Sequence, residues 1–421
     1  MSVDDTEASA PTTQRGYATA PTLAGFSHAA NERLNADPWG ELDRLRDESP
    51  TFRSDMPNPL VPGASLWYLL DYESVYTALR DWETFSNVGS AHPFSDSDPY
   101  SMIPGELDPP DHTKFRRPLN AHFSPGAIRA LEPDIRRTAV ELIESFKDSG
   151  QCDFVTDFAL HFPTRVFERM FGVPLEDHDQ LTAWVHTFGQ QMATQTAIDK
   201  AVAAEQEVLA YLGKKLDERE QSPREDLLGA IAFMEVDGAR ISRKEQVAVA
   251  YLMFQAGMDT VASQLGWSFR HLAENEVDRQ AILADPKLIP STVEELLRSY
   301  DILSHTMIVA KDVEFNGCPM KKGDRVVTMI SAANRDPNEF PDPDTFDVSR
   351  KPNRHMAFGV GPHRCIGAHL ARIELNIALE EWHQRIPNYK VAEGAEFGQS
   401  MKWAVTSMES LPLEWDVEAV N

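Results

Sequence analysis

The stretch FGVGPHRCIG, Phe358 to Gly367, constrains this chain more than any other ten residues. Gly359, Gly361, Pro362 and Gly367 break it too often for a strand, and it holds too few polar side chains for a plain surface turn. It runs directly into GAHLARIELNIALEEW, whose apolar spacing predicts a helix. Cys365 therefore stands where free backbone N–H groups meet the positive end of a helix dipole. Both lower a thiol's pKa, so the expectation is a sulfur held as thiolate. The glycines let the backbone approach something flat, against which Phe358 could pack. Two other readings stay open on these residues alone. One is a buried structural cysteine at a helix start. The other is a small metal site built from His363, Cys365 and His369.

The remaining composition narrows the class. A chain of 421 residues that is 42% hydrophobic can bury a large core. Acidic residues number 66 against 40 basic ones, a formal net charge of -26. Nucleic acid and anionic membrane surfaces are therefore excluded as expected partners. Cys152, Cys318 and Cys365 are odd in number and far apart, so neither a disulfide framework nor a CxxC zinc pattern can be drawn. The expected setting is a reducing cytoplasm. Residues 1–21 have no basic stretch followed by an apolar run and read as a disordered tail, with residues 22–421 as a single domain. No apolar stretch approaches the roughly 20 residues a membrane span needs, so a soluble protein is expected.

Helical periodicity dominates: Asp37–Ser49, Pro125–Gly150, Asp157–Phe171 and Asp179–Arg219 all read as helical. Trp67–Tyr72 is strand-like, and Thr306–Ile330 reads as short strands around a turn at Asn316–Gly317. Ser242 with Glu245, and Ser291 with Glu294, each fit a capping box. The first predicts one long helix from Ser242 to Glu274, carrying AGMDT (Ala256 to Thr260) in its middle; the second opens a helix carrying EELLR.

The pattern F-G-x-G-x-H-x-C-x-G resembles the haem-binding loop of the cytochrome P450 family, and the nearest resemblance is to its bacterial camphor-hydroxylase group. The resemblance implies a mainly α fold with minor β, a single large haem-thiolate monooxygenase domain with a long central helix, and haem b (iron protoporphyrin IX) as cofactor. Cys365 would be the axial thiolate ligand of the iron, pushing electron density that favours O–O cleavage. Phe358 would shield the sulfur, Gly359 would make room for the porphyrin, and His363 would donate to a propionate. Glu295-Leu-Leu-Arg298 resembles the family's ExxR pair, on one helix face at i and i+3, with Arg350 as its third member. His112-Thr-Lys-Phe-Arg116 resembles the HxxxR whose His112 and Arg116 hold propionates. AGMDT resembles the acid–alcohol pair. There Thr260, bonded back to the i−4 carbonyl, would hold dioxygen and a water, and Asp259 would relay protons. One departure stands out: Met307 occupies the place where the family commonly has a propionate-binding Arg. Either His305 substitutes, or His363, His112 and Arg116 suffice.

The same resemblance places Tyr100 as a hydroxyl donor to substrate, and Leu252, Gly257, Leu303 and Val405 around the cavity. Apolar walls with one polar handle suit a small hydrophobic substrate such as a terpenoid or norisoprenoid, oxygenated from O2. A small aromatic or steroid-like substrate is the alternative, as is a haem-thiolate peroxygenase or isomerase, against which Asp259 and Thr260 weigh. A haem-binding sensor is a third reading. The chain has no GxGxxG after a strand and no cysteine quartet. Electrons are therefore expected from a [2Fe-2S] ferredoxin and its NAD(P)H-dependent ferredoxin reductase. Lys114, Arg116, Arg117, Arg364 and Arg372 are the expected docking patch on this acidic protein.

Overall fold

Local capping chemistry sets several helix starts. Asp37 accepts from Gly40 N ahead of helix α1 (Pro38–Glu48), which opens on proline. Asp71 does the same for α2 (Tyr72–Ala78). Helix α3 (Asp111–Asn120) carries His112 and Arg116. Ser124 caps α4 (Pro125–Phe146), and the chain leaves it through Gly150 at φ 74°. Helix α5 (His161–Phe171) is followed by a long α6 (Gln195–Gln221). The computed structural model describes residues 21–55, 65–90, 102–189, 195–402 and 404–419. The expected N-terminal tail, apart from Pro21, and Tyr100 lie outside the described residues. The fold is 54% helical, with some strands.

The capping box at Ser242 and Glu245 forms as expected and opens α7 (Arg243–Met258). The long helix does not run unbroken to Glu274. It is interrupted at Asp259 (φ −95°, ψ −35°) and resumes as α8 (Thr260–Glu274). Thr260 Oγ1 donates to Ala256 O at 3.2 Å, the i−4 bond that loosens and bends a helix. The second capping box is absent. Helix α9 starts earlier, at Ile289 (Ile289–Ser299), with Pro290 in its first turn, and Ser291 Oγ donates back to Leu288 O. Glu294 is taken by Arg372 instead. The last long helix, α10 (Ala368–Arg385), begins at Gly367 and packs along α4 and α9.

A six-stranded sheet forms the other side. Its strands are β1 (Thr22–Leu23), β2 (Thr51–Ser54), β3 (Leu66–Leu69), β4 (Phe85–Ser86), β5 (Ser304–Val309) and β6 (Arg325–Met329), in the order β1-β2-β3-β6-β5-β4. Between β5 and β6, Val313–Phe315 and Cys318–Met320 pair across the expected turn, with Asn316 and Gly317 both at positive φ. The main core is aromatic where α8 meets α10: Phe269 stacks on Phe154 at 4.1 Å and stands edge-on to Trp382 at 5.2 Å. The site lies where the kinked helix, the loop before α10, α3 and β5 converge on that core.

Candidate active site

The loop carrying Cys365 is closed by its own backbone. Gly359 N donates to Met356 O and Cys365 N to Phe358 O, both at 2.7 Å. Gly361 sits at φ 75°, and a Cβ there would stand 2.7 Å from Leu79 O, so only glycine lets the loop lie this close to the end of α2. Cys365 lies deep in the molecule yet keeps accessible surface, so its sulfur faces an interior cleft. Burial pushes the thiol up, against the opposing pull of Gly367 N–H, Arg116, Arg364 and Arg372. Burial thus works against the helix start at this sulfur. A metal ion at the sulfur reverses that balance, because coordination deprotonates a thiol outright.

Beside this loop the rings of His112 and His363 lie 4.2 Å apart. Both ring nitrogens of His112, and Nε2 of His363, are buried without a hydrogen-bond partner. Buried polar atoms are normally satisfied, so three together describe a place for an acceptor. Burial first, then the neighbouring Arg116, holds His112 down at about 4. Burial, then His112, His305 and Arg116, holds His363 down at about 3. Both rings are therefore neutral, with an N–H to give, beside a guanidinium that donates to Arg364 O. Carboxylates fit this set, and with a sulfur in a glycine-lined cleft the residues fit a haem and its propionates.

Met307 is 1% exposed and packs with Trp67 and Val326, as a core residue of the wall. His305 shares its strand face two residues earlier, and a charge on it acts on His363. Its Nε2 lies 2.6 Å from Asn87 Oδ1. Of the two, His305 is the polar group near the histidine pair.

Behind the loop, Glu295 and Arg298 are both fully buried and pair through two bonds of 2.8 and 2.9 Å. Arg350 Nε adds a third at 3.0 Å, as the sequence pattern implies. A second network was not legible in the sequence. Arg372 grips Glu294 at 2.6 and 2.8 Å, His355 adds a contact at 3.0 Å, and the guanidinium lies 4.4 Å over the Phe358 ring. Burial would raise the Glu294 carboxyl, but Arg372 and His355 hold it down at about 2.

The family model for Cytochrome P450 matches residues 61–391. The chain belongs to the cytochrome P450 family. Mycinamicin IV hydroxylase/epoxidase of Micromonospora griseorubida is 33% identical over 385 residues, covering 90% of this chain and 94% of that one. The crystal structure of CYP101J2 superposes with a TM-score of 0.83 at 30% identity, covering 94% and 97% of the two chains. CYP109E1 from Bacillus megaterium, solved with testosterone, also gives 0.83 at 26% identity, covering 91% and 99%. This cytochrome P450 is accordingly a monooxygenase with haem b, and it needs O2, an organic substrate and a source of electrons.

The remaining expected residues of this P450 fall as follows. Leu303 and Val405 pair as an antiparallel bridge. Leu252 approaches Gly105, whose Cβ would meet its Cδ2 at 3.2 Å. Gly257 does not share their face: a Cβ there would stand 2.4 Å from the Phe167 ring of α5, so its missing side chain serves helix packing. Ala256, exposed in the last turn of α7, stands one residue earlier, where its carbonyl accepts from Thr260 Oγ1. The i, i+4 spacing of Ala256 and Thr260 is the signal for that bond. The basic patch is also revised. Lys114 is bound to Asp111 and Asp237 at 3.0 and 3.1 Å, Arg372 is bound to Glu294, and Arg116 turns toward the loop backbone. Arg117 and Arg364 stay exposed, and Arg80, not anticipated from sequence, lies against Gly361. Among the described residues no helix is long and apolar enough to cross a membrane.

Proposed function

We propose that this P450 inserts one oxygen atom from O2 into a small hydrophobic substrate, a terpenoid or norisoprenoid, with Cys365 as the residue that would ligate the haem iron and Asp259 and Thr260 delivering protons. The observation that carries the reading is the helix break at Asp259, with Thr260 bonded back to Ala256 O beside an accessible face of the helix. When bound, haem supplies the oxygen-activating redox chemistry. His112, Arg116 and His363 would hold its propionates, with His305 in place of the usual Arg, and Phe358 and Gly359 would complete the seat. The Thr260 hydroxyl gives its hydrogen to Ala256 O, which leaves its lone pairs to accept from a water at that oxygen. Asp259, at the break, passes protons to that water. Leu252, Leu303 and Val405 form apolar walls that exclude other water and hold the substrate.

Replacing Thr260 with Ala is expected to leave electron consumption running while product per electron falls about ten-fold or more. Product formation that stays tightly coupled in Thr260→Ala removes this role. A peroxygenase has no use for such a relay. The testosterone held by CYP109E1 favours a second substrate reading, a steroid-like molecule.

The electron donor we propose is a [2Fe-2S] ferredoxin with its NAD(P)H-dependent reductase, in the cytoplasm, where three free cysteines persist. It docks over Arg364, Arg117 and Arg80. Arg364→Glu should slow reduction by a ferredoxin several-fold at low salt, with the effect fading as salt rises. Lys114→Glu should change it far less, since Asp111 and Asp237 already neutralise that lysine. Equal effects of the two reversals, measured by stopped-flow reduction, contradict this surface.

A further inference from the structure

Asp301 is a carboxylate the oxygenation chemistry does not use. It is 1% exposed and sits between the end of α9 and the turn that presents Leu303. Its Oδ1 accepts from Leu303 N at 2.7 Å and its Oδ2 from Asn334 Nδ2 at 2.7 Å. Asn334 is also fully buried, and its Oδ1 accepts from Met356 N at 2.6 Å. Because Met356 N–H can only donate, the amide is fixed with its Nδ2 toward Asp301. Met356 in turn accepts from Gly359 N, at the start of the Cys365 loop. Two side chains thus connect a wall residue of the cleft to the loop that carries the sulfur.

The charges around them balance. Glu295, Arg298 and Arg350 together carry one net positive charge, and Arg298 Nη1 donates to Asn334 O at 3.1 Å. Asp347, beside Arg298 and Arg350, offsets that excess, and Asp301 is held by its hydrogen bonds from Leu303 N and Asn334 Nδ2. Burial pushes its carboxyl up to about 7, against the pull of Leu303 N–H and Asn334. Protonation would add a buried O–H beside two groups that are themselves donors.

We propose that Asp301 and Asn334 form a strut that fixes Leu303 against the ligand and the thiolate loop against the haem, making Asp301 a specificity-determining positioning residue. The inference rests on the reading that Leu303 lines the substrate cavity. The Leu303 backbone is further tied to Val405 by the bridge and to Ser331 N at 3.4 Å, and its side chain packs between the two neighbouring core clusters, so the Asp301 bond sets how far that side chain reaches into the cleft. Losing one Asp301 acceptor frees the turn to shift.

The test uses holoenzyme and two azoles that bind haem iron: 4-phenylimidazole, whose ring packs on the cavity wall, and imidazole, which has no such arm. Optical titration should show Asp301→Asn weakening 4-phenylimidazole about ten-fold while imidazole changes less than about two-fold. In a Leu303→Ala background the same substitution should add little, since both act on one wall contact. Asn334→Ser, a second variant should Asp301→Asn not fold, is expected to weaken 4-phenylimidazole several-fold and spare imidazole. Equal loss for both azoles, or no loss in either folded variant, overturns the strut. No effect of Leu303→Ala on 4-phenylimidazole overturns the wall reading beneath it.

Discussion

Glu295→Ala is expected to yield no stable haem-loaded protein. Glu295 is fully buried and accepts from Arg298 Nε and Nη2, Arg350 Nε, Asp347 N and Asn353 Nδ2. Removing the carboxylate strands a fully buried guanidinium and a second that is nearly so. Breaking a buried pair in this way costs about 3–5 kcal/mol, against a total stability of about 5–15 kcal/mol for a folded domain. Arg298 also ties α9 to Asn334 O and Pro343 O, and Arg350 ties the same segment to Pro341 O and Thr345 O. The loss therefore spreads into the segment that leads to the thiolate loop. Thermal unfolding and haem content of purified Glu295→Ala are the readouts. A variant with wild-type melting and full haem would show that the network is dispensable.

The legible parts of this protein are those whose signal is local. The thiolate loop, the Glu295–Arg298 pair, the capping box at Ser242 and the Asn316–Gly317 turn each rest on residues within a few positions of one another. What the sequence hid depends on distant partners. Ser291 and Glu294 have the spacing of a capping box, but Glu294 is claimed by Arg372, 78 residues away. Lys114 reads as a free cation until Asp237 closes on it. The resemblance puts Gly257 at the cavity, yet its side of the helix belongs to Phe167. The apolar pattern runs unbroken from α7 into α8, so the break at Asp259 shows only as a run of mediocre helix formers. At Cys365 the helix start is visible in sequence, and the burial that opposes its pull on the thiol is not.

The second large effect falls on Cys365. His112, Arg116 and His363 are all retained in Cys365→Ser, so the variant should still take up haem through its propionates. It loses the only cysteine sulfur in the glycine-lined loop; Cys152 and Cys318 lie elsewhere in the fold, one beside the C-terminal strand Pro412–Glu414 and one in the hairpin after β5. Oxygenation should fall to background in that variant, because a hydroxyl is a far weaker donor of electron density than a thiolate. The measurement that bears most directly on the account is the optical spectrum of the reduced, carbon monoxide-bound protein, wild type beside Cys365→Ser. The account predicts the strongly red-shifted Soret band of thiolate ligation in the wild type and its complete loss in haem-loaded Cys365→Ser. A wild type without that band, or a Cys365→Ser protein that keeps it, would contradict the assignment of Cys365 as the ligand.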